Sequence, residues 1–122
     1  MKTVLLVDDD PATIEAWTIC MKDAECAVLS AFDGNAALAI LGETRVDIVV
    51  SDWVMPGLGG ALLCQTMKND AALAHIPFLM ISGHPHPPAF VSYDGYLQKP
   101  VDVNTLLAAV NRLCAAKQRP LY

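Results

Sequence analysis

Acidic side chains are spaced so that the fold could gather them. Asp8, Asp9 and Asp10 follow the aliphatic run Thr3 to Val7, and Asp52 closes another, Asp47 to Ser51. Carboxylates crowded together repel and raise their own pKa unless a cation stands among them. A hard, oxygen-ligated ion relieves that repulsion, with Mg²⁺ the best fit and Mn²⁺ an alternative, taking one or two carboxylates and keeping several waters. The triplet also has a plainer reading as a helix cap, since an acid is favourable at the positive end of a helix. Asp52, and Lys99 after a later apolar run, shift the reading toward a functional site. Cys20, Cys26, Cys64 and Cys114 form no C-x-x-C pair and stand among apolar neighbours, where cysteine behaves as a small hydrophobe. A disulfide or a metal set is the lesser alternative for them.

The elements that must position these acids follow from periodicity. Thr3 to Val7 reads as a strand buried on both faces. Pro11 suits the first turn of a helix after an acidic cap, and Trp17, Cys20, Met21 and Ala24 recur at three- and four-residue spacing through a helix from Ala12 to Glu25. Cys26 to Ala31 is a second strand, closed by Asp33-Gly34, a turn and helix-start signal. A helix over Asn35 to Leu41 is expected to end at Gly42. Asp47 to Ser51 is the third strand, with Asp52 at its end. Pro56, Gly57, Gly59 and Gly60 make Met55 to Gly60 a loop, before a helix over Ala61 to Lys68. Ile76 to Ser82 and Gly95 to Gln98 are the last two strands. Asp102 then caps a final helix with Val103, Leu106, Leu107, Val110 and Leu113 on one side.

Strands alternating with helices imply an α/β fold with a parallel sheet and right-handed crossovers. In such a sheet ligands bind beyond the C-terminal strand ends, which is where Asp8 to Asp10 and Asp52 fall if their strands are neighbours. The length fits one domain over 1–122, with 117–122 as a tail and no room for an effector domain; Met1, set directly before the first strand, suggests a natural start. With 54% hydrophobic and only 17% charged residues, the composition excludes a disordered chain and asks for a large core. A net charge of -5 without any Lys/Arg run argues against direct binding of nucleic acid. No apolar stretch reaches the roughly 18 to 20 residues needed to span a bilayer, and the N-terminus does not read as a signal peptide. Together with the cysteine usage, this predicts a reducing, cytoplasmic setting without membrane partners.

Read in order, Val7-Asp8-Asp9, Asp52-Trp53-Val54-Met55-Pro56-Gly57, Ile81-Ser82-Gly83 and Gly95-Tyr96-Leu97-Gln98-Lys99-Pro100 resemble a two-component response-regulator receiver domain, CheY-like. Asp33-Gly34 with Ala37-Leu38, and His75-Ile76-Pro77, add to the match, which covers essentially the whole chain. The resemblance implies a three-layer, doubly wound, flavodoxin-like sheet of five parallel strands in the order 2-1-3-4-5. It implies that Asp52 is the phosphoacceptor, charged from a phosphohistidine on a sensor kinase or histidine phosphotransfer protein. Asp9, Asp52 and the Val54 backbone carbonyl would bind Mg²⁺ directly, and Asp8 through water. Lys99 and Ser82 would hold phosphoryl oxygens, Tyr96 would turn inward on activation, and the Lys99–Pro100 bond would be cis. From the residues alone, Ser82 can simply end a strand and Tyr96 can be plain packing; Trp53 reads as packing or site lining.

The sequence departs from that pattern between the fourth and fifth strands. Pro85, Pro87 and Pro88 exclude a helix before Ala89, so the fourth crossover is expected to be a Pro-rich loop or a single turn instead of a full helix. Phe90, Val91 and Tyr93, or a partner, would then cover that face of the sheet. His84 and His86 lack a third ligand and make a weak metal pair. The implied function is a phosphorelay signalling domain that phosphorylates and dephosphorylates itself without being an enzyme, and that passes its signal to a downstream protein. The alternatives are a phosphorylation-independent pseudo-receiver and, last, an aspartyl-phosphate phosphatase. That chemistry asks for a second acid two residues after the nucleophile, where Val54 stands.

Overall fold

A computed structural model describes residues 1–55, 57–83 and 92–117. Five parallel strands, β1 (Thr3–Val7), β2 (Ala27–Ala31), β3 (Ile48–Asp52), β4 (Phe78–Ser82) and β5 (Gly95–Gln98), form one sheet in the order β2-β1-β3-β4-β5. Among the described residues the helices are α1 (Pro11–Asp23), α2 (Gly34–Glu43), α3 (Gly60–Lys68) and α4 (Val103–Lys117). This is the flavodoxin-like, three-layer arrangement expected.

Strand alternation builds the layers, because successive side chains point to opposite faces. Val4, Leu6, Ile48, Val50, Leu79 and Ile81 pack with Ile14, Met21 and Leu106 beneath α1 and α4. Leu5, Val7, Val49, Phe78 and Met80 pack with Ala37, Leu41, Leu63 and Met67 beneath α2 and α3. The central strands β3 and β4 are buried at every position, which explains the apolar runs Ile48 to Val50 and Phe78 to Ile81 that precede their polar ends.

Several boundaries differ from the sequence reading. Gly42 does not end α2: the helix runs through Glu43, and the Thr44 N–H closes it on the Ile40 carbonyl at 2.8 Å. Gly42 faces open space and Thr44 leaves in an extended conformation, so no left-handed glycine cap is required. The inward stripe of α1 is Ile14, Trp17 and Met21 rather than one that includes Ala24, because the helix ends at Asp23. There Glu25 turns the chain with φ 64°. The fourth strand begins at Phe78, after Pro77, which has no N–H to place in the ladder. The Asp102 carboxylate accepts the Thr105 N–H at 3.2 Å at the start of α4, as a cap should.

The expected Pro-rich fourth crossover, with Phe90, Val91 and the histidines His84 and His86, lies outside the described residues, as does most of the expected tail. Among the described residues no helix is long and apolar enough to cross a membrane. Cys26, Cys64 and Cys114 are buried and Cys20 is half-buried, and none of the four is in a disulfide. Burial pushes the Cys64 thiol up to about 11.

Candidate functional site

Strand register gathers the residues of interest at the C-terminal edge of the sheet. Val7 pairs with Ser51, so Asp8 leaves β1 beside Asp52. Asp52 pairs with Ile81 and Ser82 with Gln98, and the Lys99 N–H then donates to the Ser82 carbonyl at 2.7 Å. Asp8, Asp52, Ser82 and Lys99 therefore converge where open α/β sheets bind ligands.

The acidic triplet divides between its two readings. Asp10 is the cap of α1: its carboxylate accepts the Ala12 N–H at 3.1 Å and the Thr13 hydroxyl at 2.8 Å. Those bonds, the Thr13 hydroxyl first, hold its carboxyl below the usual range. Asp8 points inward and is buried, its Oδ1 accepting the Asp10 N–H at 2.9 Å. Asp9 is exposed, yet carboxylate oxygens of Asp8, Asp9 and Asp52 all lie within 4.8 Å of one another.

Lys99 joins two of these acids. Its Nζ stands 3.3 Å from Asp8 Oδ2 and 3.4 Å from Asp52 Oδ1. Asp52 Oδ1 also accepts the Trp53 N–H at 3.0 Å, which leaves Oδ2 outside both contacts. Burial, joined by the Asp8 charge, raises the Asp52 pKa, and the nearby Lys99 ammonium only partly offsets it. For Lys99 burial works downward, but the carboxylates of Asp52 and Asp8 outweigh it and its pKa is raised. One lysine facing three carboxylates leaves an excess of negative charge on oxygen donors alone. That donor set suits a hard divalent cation and offers nothing to a soft one.

The other residues singled out in the sequence surround this group. Ser82 is buried at the end of β4. Tyr96 is half-buried, with its ring centroid 5.9 Å from that of Tyr93. Val54 is 62% exposed just after β3. The Lys99–Pro100 peptide bond is cis. Trp53 is half-buried against the α2/α3 core. A cavity of about 410 Å³ opens between Thr13 and Trp17 of α1 and the Lys99-Pro100-Val101 turn. Sequence reasoning did not single out Thr13; its place three residues after Asp10 is the signal that could have found it. It took Asp33-Gly34 as a turn and helix-start signal, and α2 does start at Gly34, but it took Gly60 only as part of a loop.

The family model described as "Response regulator receiver domain" matches residues 4–111. The chain is 32% identical over 124 residues to the DNA-binding dual master transcriptional regulator RpaA of Synechocystis, covering 98% of this chain and 52% of RpaA. It is 31% identical over 120 residues to Protein PilH of Pseudomonas aeruginosa, covering 94% of this chain and 99% of PilH. The chain thus spans about half of the first relative and nearly all of the second. Among solved structures, the signal receiver domain of a signal transduction histidine kinase from Syntrophus aciditrophicus superposes with a TM-score of 0.93 at 25% identity, covering 99% of this chain and 96% of that one.

Proposed function

The chain belongs to the response regulator receiver family of two-component signalling, and we propose that Asp52 is its phosphoacceptor, charged from a phosphohistidine of a sensor kinase or histidine phosphotransfer protein. The observation that carries this reading is Lys99 Nζ within 3.4 Å of both the Asp8 and Asp52 carboxylates at the strand ends. In the step, Asp52 attacks the phosphorus, an O–P bond forms, and the P–N bond to the donor imidazole breaks. Phosphoryl transfer asks the protein chiefly for positioning and charge stabilisation. The Trp53 N–H and Lys99 hold Asp52 Oδ1 in place, so Oδ2 is the natural nucleophile. Lys99 can then follow the charge onto the phosphoryl oxygens, and Ser82, at the root of the loop after β4, can donate its hydroxyl to one of them.

Asp9, Asp52 and the Val54 carbonyl would hold Mg²⁺ directly, with Asp8 acting through water, and the ion when bound would neutralise charge on the transferring group. The product adds a charge of about -2 where Asp52 stood, enough to reorganise hydrogen bonds around Ser82. Tyr96 lies in β5 beside Met80 of β4 and would pass the change to a downstream protein. The domain is a signalling switch, with a cytoplasmic working place and no direct contact with nucleic acid or membrane in this scheme. The test is labelling by a small phosphodonor with and without Mg²⁺, wild type against Asp52→Asn. Wild type should label only with Mg²⁺ and the variant not at all; an unlabelled wild type would favour the phosphorylation-independent reading.

A further inference from the structure

The segment that leaves Asp52 is tied down at two points by glycines that open helices. Gly60, the first residue of α3, donates its N–H to the Trp53 carbonyl at 2.8 Å. A Cβ at Gly60 would lie 2.1 Å from the Asp52 carbonyl oxygen, so α3 can start here only because the side chain is absent. Gly34, the first residue of α2, donates its N–H to the Leu58 carbonyl at 3.0 Å. A Cβ there would meet that same carbonyl oxygen at 2.4 Å and the Leu58 side chain at 2.9 Å. The first N–H groups of a helix have no partner within it. At Gly34 this spare donor holds Leu58, in the segment between β3 and α3, against a different helix.

We propose that Gly34 is a positioning residue for the cation site, its backbone strap to Leu58 fixing the Trp53–Val54 segment against the acids of β1. The inference rests on the functional reading above, in which the Val54 carbonyl is a ligand. It assigns a second task to the Asp33-Gly34 pair: the Asp33 carboxylate caps α2 by accepting the Ala36 N–H at 2.7 Å, and the next residue's N–H reaches across to Leu58. Groups that orient a ligand from outside the coordination sphere commonly change metal affinity 10- to 100-fold. The coupling must also run in reverse, since binding equilibria linked in this way are reciprocal.

The test is calorimetric titration of MgCl₂ into wild type, Gly34→Ala and Gly42→Ala. Gly42 lies in the same helix, and a Cβ there meets nothing within 4 Å, so it reports the general effect of alanine in α2. Gly34→Ala should bind Mg²⁺ about tenfold more weakly than wild type, while Gly42→Ala binds as wild type does. Urea unfolding of each confirms that the proteins titrated are folded. Equal affinity in folded Gly34→Ala and wild type overturns the inference, whereas no binding by wild type overturns the cation site itself. Should Gly34→Ala not fold, amide exchange of wild type decides: Mg²⁺ should slow exchange at the Gly34 N–H about as much as at Trp53. Binding that leaves the Gly34 amide unchanged overturns the strap.

Discussion

Replacing Asp52 by asparagine should stabilise the metal-free protein, although it removes one member of a salt bridge. At an effective dielectric constant of 20, the 3.4 Å contact with Lys99 is worth about 5 kcal/mol of attraction. Asp8 and Asp9, each offering an oxygen within 4.8 Å, oppose it by at least about 3.5 kcal/mol apiece. Asp9 is exposed and Lys99 a third exposed, so water trims both sides, and burial adds its own penalty on the charge. The balance left is about 1 to 2 kcal/mol in favour of Asp52→Asn. The amide keeps the shape and can still accept the Trp53 N–H. Urea denaturation in EDTA at pH 7 measures this directly. Because the folded-state pKa of Asp52 is raised, its penalty is complete above that pKa and fades as pH falls through it. The variant's advantage should therefore shrink on acidification.

Mg²⁺ should offset that advantage. A ligand at ten times its dissociation constant adds about 1.4 kcal/mol to the state that binds it, or about 6 °C in Tm for a domain of this size. Wild type should gain that and Asp52→Asn much less. Two results would refute the reasoning: a variant less stable than wild type in EDTA, or an equal Mg²⁺ shift in both proteins.

Val54→Asn should hasten loss of the acyl phosphate severalfold, because a polar side chain replaces an exposed apolar one beside the proposed acceptor and can order the attacking water. Phosphate release after labelling measures it, and an unchanged rate would remove Val54 as a barrier. At the opposite end of the sheet, Asp94→Ala should cost about 2 kcal/mol in urea unfolding. Asp94 Oδ2 accepts both the Lys68 ammonium and the Phe78 N–H at 2.8 Å, tying α3 to the starts of β4 and β5, so a loss under 0.5 kcal/mol would refute that role.

The strands were legible because each central one opens on a run of apolar residues and ends in polar ones, as Ile48, Val49 and Val50 before Ser51 and Asp52 show. Helix ends were less so. Gly42 carries the usual sign of a terminus, but α2 continues because the following residues find hydrogen bonds without a left-handed turn. Gly34 and Gly60 could not be understood from the sequence, since their reason lies in carbonyls of Leu58 and Asp52 brought up by other elements. The acidic triplet was legible in type but not in division. Only the entry of α1 decides that Asp10 caps while Asp8 turns inward.

That division follows from continuing the strand alternation to the end of β3 and one step past β1 and β5. Asp8 carries on the parity of Val4 and Leu6, Asp52 that of Ile48 and Val50, and Lys99 that of Leu97, and all of these apolar residues pack beneath α1 and α4. Three strands thus deliver two acids and the lysine in one phase, which accounts for the pairing of Lys99 with both carboxylates. Ser82 has the parity of Phe78 and Met80, and Tyr96 packs against that second core beneath α2 and α3. The two residues proposed to hold phosphoryl oxygens, Lys99 and Ser82, therefore differ in phase by one residue, and Ser82 shares its phase with the core that Tyr96 packs against. A signal passing from Lys99 to Ser82 has only to cross the sheet edge, where the Lys99 N–H already bonds the Ser82 carbonyl. From there the shared face leads along β4 to Met80, the register partner of Tyr96 in β5.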